Sequence, residues 1–412
     1  MKLVRLGCVL WGSLLLAGSP EQDANVNTRY TVESVELSGD KPADISTGLR
    51  SELVRMVGEK LNPSALDDLA RRIRRELHVR AVSHRVLRGQ TPEHVRVVFD
   101  VRGRPARFEA SVPKFLYGSQ SGFSGAVEGT ATVGSRAWTI GLVSDGDELL
   151  ERHTGVVARL EDTLASNRVR LRFQFASYRE QWDSQTIDAV NRGPAAPSSA
   201  LYGTRQDLEP VATFLLARPL TLSVGASFER LQPLSPATRT EMANAIISTL
   251  HYHRHLEGED ANQQDWDAAY NLRAATSLLA SDFAYVRHLG EVRYVYSWGR
   301  SEISDTVNVG LLTGRAPLFE RFVAGNGSLL RGWNKFELDP LGGSRLVHNS
   351  VAYRYGKVEV FYDSGALWDP GQTAVIRHSL GIGIRQNGLC VALAFPVREG
   401  HIEPVFMVGM NY

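Results

Sequence analysis

The residues whose types and spacing could do chemistry fall into three sets, and only one suits a specific task. In "FERFVAGNGSLLRGW" (319–333) an arginine, Arg331, is followed by Gly332 and Trp333, and in "FYDSGALWD" (361–369) Asp363 lies between Phe361 and Gly365. At period two, Glu359, Phe361, Asp363 and Gly365 share one face of a strand, and Val358, Val360 and Tyr362 share the other. A long loop folded back into a polar cavity needs an anchor, and a guanidinium paired with a wall carboxylate supplies several directional hydrogen bonds. Arg331 suits the loop side and Asp363 the wall side, with Gly332 permitting close backbone approach. The second set, His251, His253 and His255 near Glu257, Glu259 and Asp260, has metal-ligating side chains. Same-face positions of a strand point in parallel instead of converging, so a polar strip is expected there. The third set, Arg168, Arg170 and Arg172, reads as a solvated wall before it reads as an anion filter. The sequence contains no nucleophile elbow, no P-loop and no G-x-G-x-x-G opening a helix. No enzymatic activity, cofactor, metal or nucleotide is expected.

Composition sets the frame in which these residues must be held. Of 412 residues, 43% are hydrophobic, 22% are charged and two are cysteine, which excludes a disordered chain and a disulfide-stapled module. The 46 basic residues are nearly balanced by 45 acidic ones, which gives no support to nucleic-acid binding. After residue 20 no stretch approaches the roughly 18 consecutive apolar residues of a membrane-spanning helix. Residues 1–19 read as an export signal, with Lys2 and Arg5 ahead of the apolar run Leu6 to Leu16 and small residues at 17–19. Cys8 has no apolar segment before it, so lipidation is not expected, and with Cys8 removed along with the export signal Cys390 would be the sole thiol.

Residues 29–103 have the pattern of a separate α+β module. A strand in "YTVESVELSG" precedes a helix with Ile45, Leu49, Leu53, Met56, Val57 and Leu61 at helical spacing, which Asn62-Pro63 is expected to end. A second helix follows, with Ser64 and Asp67 resembling a capping box, Leu66, Leu69, Ile73 and Leu77 as its stripe, and Arg71, Arg72, Arg74 and Arg75 mostly off it. Two strands, Val79 to Leu87 and Val95 to Val101, complete the order strand, helix, helix, strand, strand.

From about residue 105 the period is two. Val169, Leu171, Phe173 and Phe175 alternate with arginines and Gln174; Leu220, Leu222, Val224, Ala226 and Phe228 alternate with Thr, Ser, Gly and Glu. Ile376, Leu380, Ile382 and Ile384 repeat the pattern. Each run has roughly the 10 residues that cross an outer membrane at a tilt. Connections at 355–357 and 386–388 are minimal, whereas 183–207, 257–265 and 314–343 read as long loops. A soluble β-sandwich or lipocalin-like barrel would be smaller than this strand run. Alternation marks about 14 or 15 strands, and the chain ends in Ile402, Phe406, Val408, Met410 and Tyr412, an apolar period-two series finishing on an aromatic residue.

That ending resembles the closing-strand signal of bacterial outer-membrane barrels. The loop with its tip Leu330, Arg331, Gly332 and Trp333, followed by "DPLGG" (339–343), resembles the sixth extracellular loop of the BamA/TamA-type superfamily, and Phe361, Asp363 and Gly365 match that family's F-x-D-x-G strand. The 29–103 module resembles the family's POTRA domain. The resemblance implies a mainly β protein: one small α+β POTRA domain at 29–103, then a transmembrane antiparallel barrel of about 16 strands over 105–412. It also implies an Arg331–Asp363 contact bracing the loop. Family members usually carry a second lumenal Glu where this sequence has Ala352, and Glu359 is the candidate substitute, although a solvated lumen residue is the simpler reading.

The function implied is insertion or translocation of polypeptides at the bacterial outer membrane, with the POTRA domain in the periplasm. The partners would be membrane lipids, unfolded outer-membrane or secreted clients, and periplasmic chaperones or lipoproteins. The seam between a first barrel strand near 125–133 and the last at 402–412 would open laterally, with Pro404 weakening pairing there. The alternatives are a channel or secretion pore plugged by the loop, and a surface-exposed orphan barrel without insertase activity.

Overall fold

In the computed structural model the described residues are 29–39, 45–77, 79–103, 106–164, 168–192, 201–234, 239–258, 262–327, 329–398 and 403–410. The export segment expected at 1–19 lies outside them, as do Ile402 and Tyr412. The chain divides into two compact units, 1–104 and 105–412.

The first unit contains β1 (Thr31–Gly39), α1 (Thr47–Arg55), α2 (Pro63–Glu76), β2 (Ala81–Arg88) and β3 (His94–Arg102). Its sheet has the order β1-β3-β2, with β1 parallel and β2 antiparallel to β3. Leu49 and Leu53 of α1 and Leu66, Leu69 and Ile73 of α2 bury their stripes against Val32, Val97 and Phe99 of the sheet. Asn62-Pro63 starts the second helix and does not end the first. The Asn62 Oδ1 accepts from the Ser64 amide at 3.1 Å, and Pro63 takes the first helical position, where its missing N–H costs nothing. The first helix stops earlier than its apolar spacing suggested, capped at Met56.

The second unit is a closed antiparallel barrel. Its strands are β4 (Arg107–Gly118), β5 (Gly122–Val133), β6 (Arg136–Asp145), β7 (Arg152–Leu164), β8 (Val169–Gln181), β9 (Tyr202–Ala217) and β10 (Leu220–Pro233). After the two-residue β11 (Glu241–Met242) come β12 (Ala245–Glu257), β13 (Gln263–Ala275), β14 (Ala284–Trp298), β15 (Ser301–Arg315) and β16 (Arg345–Tyr355). The wall ends with β17 (Val358–Trp368), β18 (Arg377–Gln386), β19 (Leu389–Pro396) and β20 (Val405–Met410), and β20 pairs with β4. Leaving aside β11, the wall has sixteen strands, the number the resemblance implied.

Alternation sorts the wall. Trp138, Ile140 and Leu142 of β6, Phe173 and Phe175 of β8, and Leu380, Ile382 and Ile384 of β18 are exposed on the outside, toward lipid. Their alternate neighbours line a polar lumen. Two-residue turns at 134–135, 218–219, 299–300, 356–357 and 387–388 close one end. At the last of these, Asn387 (φ 51°) and Gly388 (φ 82°) both take the left-handed conformation that a tight hairpin requires. The 258–262 connection lies at this short-turn end and is not one of the long loops. At the other end the 183–207 segment is only partly loop, since α3 (Ser184–Arg192) and the start of β9 lie within it.

The first barrel strand is β4, one strand earlier than the 125–133 assignment, which falls in β5. Pro113 and a bulge between Ser111 and Lys114 break the alternation of β4, so its sequence does not read as a lipid-facing strand. Because Leu380 faces outward near mid-strand, Leu380→Arg is expected to cost about 2–4 kcal/mol of folding stability in a bilayer. Urea titration in lipid vesicles measures this, and an unchanged midpoint would refute the outward assignment.

Candidate functional site

The loop joining β15 to β16, residues 316–344, turns into the lumen because its first limb is apolar. Ala316, Leu318, Phe319, Phe322 and Ala324 are all buried. Gly310 on β15 makes room for this limb, since a Cβ there would lie 2.6 Å from the Phe322 ring. The tip is a tight turn in which the Gly325 amide donates to the Leu329 carbonyl and the Asn326 amide to the Trp333 carbonyl, each at 2.6 Å. Leu330 (φ 55°) and Gly332 (φ 89°) take left-handed backbone on either side of Arg331. For a leucine that is a strained conformation, held here by burial of its side chain and by a hydrogen bond from its backbone N–H to His348 Nε2 at 3.3 Å.

This turn presents Arg331 to the wall. Its backbone amide and Nε donate to Asp363 Oδ2 at 3.0 and 2.8 Å, and its Nη2 donates to Asp363 Oδ1 at 2.7 Å. The Ser350 hydroxyl accepts from Nη2 at 3.0 Å and donates to Asp363 Oδ1 at 2.7 Å, tying β16 into the same network. Asp363 is 1% exposed, so the pair works in a low-dielectric setting where breaking it is costly. The guanidinium also lies 3.5 Å from the centroid of the Phe361 ring, within cation–π range. Phe361 fits because Gly381 faces it from β18: a Cβ at Gly381 would fall 2.0 Å from the ring. Gly365, the last residue of the strand motif, lies on the same face of β17 with His348 against it.

Trp333 closes the tip. Its Nε1 donates to the His378 carbonyl at 2.9 Å, and Arg377 and Arg398 lie over its ring at 5.1 and 5.2 Å. Gly332 packs so tightly on β19 that a Cβ would come within 2.9 Å of Ala394 Cβ. Glu359 lies on the lumenal face, but its Oε1 is 3.8 Å from Arg331 Nη1, while its Oε2 accepts from Arg385 Nε at 3.2 Å. Ala352 packs against a buried apolar cluster that contains Phe361, Cys390, Ala392 and Met407. On the closing strand Phe406 faces lipid, with Val408 and Met410 on the same side.

Sequence reasoning did not single out three further loop anchors. Glu320 Oε1 lies 2.9 Å from Arg273 Nε on β13. Arg321 donates to the carbonyls of Leu341 and Gly342 and to Asp369 at 2.6 to 2.7 Å, tying the two limbs of the loop together. Lys335, in the short helix α4 (Lys335–Leu338), donates to the Gly146 carbonyl at 2.7 Å and also contacts the Leu149 carbonyl. Its burial lowers the ammonium to about 8, against the pull of Asp147 and Glu151. A charged Glu-Arg pair inside the apolar run 318–324 was the available signal for the first two.

The other chemical candidates separate cleanly. His251 pairs with Asp267 at 2.9 Å, His253 lies 3.3 and 3.4 Å from Asp267 and Asp265, and His255 lies 3.5 Å from Asp265. Each imidazole thus faces a cross-strand carboxylate, and no group of three or more ligating side chains able to hold a metal occurs among the described residues. Glu259 and Asp260 lie outside those residues. Arg170 and Arg172 share the lumenal face of β8, opposite to the lipid-facing Phe173 and Phe175.

Comparison with known proteins agrees with this geometry. Residues 263–388 match the model of the Omp85 superfamily domain, a span that contains the loop and the F-x-D-x-G strand. Among solved structures, BamA from Haemophilus ducreyi lacking POTRA domains 1-3 superposes with a TM-score of 0.61 at 16% identity, covering 93% of this chain and 84% of that one. CdiB from Acinetobacter baumannii gives 0.50 at 12% identity over 92% of this chain and 74% of its own. CdiB from Escherichia coli gives 0.51 at 11% identity over 93% and 76%. No curated protein matches the chain by sequence. The BamA/TamA-type resemblance read from the two motifs therefore holds.

Removing Asp363 strands a buried guanidinium, so Asp363→Ala is expected to weaken loop docking by about 3–5 kcal/mol. Glu359→Gln, whose carboxylate lies 3.8 Å from Arg331 Nη1 and bonds Arg385 instead, should weaken loop docking less than Asp363→Ala does. Protease sensitivity of the 316–344 loop reports both, and equal sensitivity of the two variants would refute the ranking.

Proposed function

We propose that this chain, whose residues 263–388 match the Omp85 superfamily domain, assists insertion or passage of other polypeptides at the bacterial outer membrane through a barrel that opens at one seam. The observation that supports this most directly is the closure between β20 and β4. Among the described residues it pairs four positions, Met407 with Gly118 through Met410 with Phe115, where β14 and β15 pair fifteen. Two bonds to Ser119 extend it: its amide donates to the Phe406 carbonyl at 2.9 Å, and its hydroxyl accepts from the Phe406 amide at 3.2 Å.

Opening there frees few backbone groups and offers the edge of β4 to an incoming strand. An unpaired strand in lipid gains strongly from pairing, so the client's own folding supplies the driving force, and nucleotide hydrolysis has no part in the scheme. Pro404 precedes β20 and so limits the length of the closing strand without interrupting its ladder.

The first unit supports the docking step. Its sheet leaves β2 as an open edge with Val86 and Leu87 exposed, which suits addition of an extended client segment. In this reading the 29–103 module is a periplasmic POTRA domain, and the clients are unfolded outer-membrane or secreted chains delivered by chaperones or lipoproteins. The braced loop occupies part of the lumen, which also fits a secretion pore with a plug.

Val408 and Tyr117 are paired across the seam, within the separation a disulfide spans. The Val408→Cys, Tyr117→Cys variant in liposomes is expected to lose insertion of a barrel client when oxidised and to regain it on reduction. Undiminished insertion with the crosslink formed would exclude the opening seam. Polypeptide export or bilayer conductance that persists in the crosslinked state would favour the plugged pore.

A further inference from the structure

We propose that the root of the inward loop is locked by a proton-loaded carboxylate cluster, so that docking of the loop takes up protons. This holds whether the barrel inserts clients or exports them. The root presents Phe319 and Glu320 to the wall. Glu320 lies 2.9 Å from Arg273 Nε and 3.6 Å from Arg287 Nε. Arg273 is shared: its Nη2 donates to Glu229 Oε1 at 2.9 Å, lies 3.5 Å from Glu209 Oε1 and contacts the Ser227 hydroxyl, which donates to Asp207 Oδ1 at 2.9 Å. Arg205 lies 4.7 Å from the Phe319 ring centroid and 3.4 Å from Glu180 Oε1, and the Tyr202 hydroxyl donates to Glu151 at 2.8 Å.

Six carboxylates, Glu151, Glu180, Asp207, Glu209, Glu229 and Glu320, therefore meet three guanidiniums, Arg205, Arg273 and Arg287. Five of the six are 9% exposed or less. The remaining groups facing them are the phenols Tyr178, Tyr202 and Tyr285, and His153 beside Tyr178. Lys335 lies within electrostatic reach of Glu151, but it belongs to a neighbouring set in which Lys114 pairs with Asp145 and Glu148, and Asp147 balances Lys335.

Two observations argue against full ionisation of the cluster. Asp207 and Glu229 stand directly opposite each other in the β9–β10 register, an arrangement that is repulsive when both are charged. In addition, neither oxygen of the fully covered Glu180 side chain accepts a hydrogen bond, nor do Glu151 Oε2 and Glu229 Oε2. Each of these carboxylates has one cationic or hydroxyl neighbour but buried oxygens left unsatisfied, a setting that favours binding a proton. The compensating cation proposed here is the proton.

The linkage has a definite sign. Undocking hydrates the cluster and lets it ionise, so the docked state binds more protons, and docking weakens as pH rises. One linked proton changes the docking constant about tenfold per pH unit. Lys335, lowered to about 8 by burial, works in the opposite sense, so the reading is the difference between wild type and a variant with one fewer competing carboxylate.

The test is hydrogen exchange of the 317–323 amides in the full chain in detergent, corrected for intrinsic rates, at pH 7 and pH 9. Wild type is expected to lose protection at pH 9 relative to Glu229→Gln by at least about tenfold. If Glu229→Gln does not fold, Glu209→Gln serves in its place. Equal pH responses in wild type and variant would overturn the proposal. So would restoration of wild-type protection at pH 9 by NaCl or MgCl2, which would make a metal cation the compensating charge.

Discussion

Everything in the barrel follows from one constraint: in a bilayer each backbone N–H and C=O must find its partner within the protein. A sheet meets that requirement only by closing, and closure makes the last pairing, β20 to β4, carry the consequences of every earlier choice of strand length. Elsewhere adjacent wall strands pair six to fifteen positions among the described residues. At the seam a strand of six described residues meets a twelve-residue one, and a bulge at Ser111 to Lys114 shifts the register of β4 against its other neighbour. The shortest pairing between wall strands among the described residues is therefore built into the topology and does not arise from one substituted position.

The lumen obeys a second rule, that charge taken inside must be matched. The loop meets it with opposite signs at its two attachments. At the tip a loop cation, Arg331, sits on a wall anion, Asp363; at the root a loop anion, Glu320, sits on wall cations, Arg273 and Arg287. Reversing or sliding the loop would set like against like at both points. Steric fit adds to this, because Phe361 and Phe322 each occupy space that a neighbouring glycine leaves free.

The parts of this arrangement legible in the sequence were those set by local periodicity. Period two assigned Asp363 and Glu359 to one face of β17 without any coordinates, and helical spacing located the buried stripe of α2. The first barrel strand was missed because Pro113 and the bulge disrupt the alternation that reveals its neighbours. Asn62 was misread because a residue between two helices can end one or cap the next, and only hydrogen bonding decides. Glu320 and Arg273 are 47 positions apart on different strands and loops, and neither carries a local pattern that names the other.

The loop anchor and the seam differ in one further respect, the length of chain each must close. Arg331 and Asp363 are 32 residues apart, whereas Ser119 and Phe406 are 287 apart. Closure entropy grows with the logarithm of loop length, which makes the seam the costlier contact by about 2 kcal/mol before any packing is counted. The β16–β17 hairpin and its captive loop thus form a local unit whose contacts are available while the ends of the sheet are still far apart. On entropic grounds the wall assembles around its loop, and no finished ring has to be threaded.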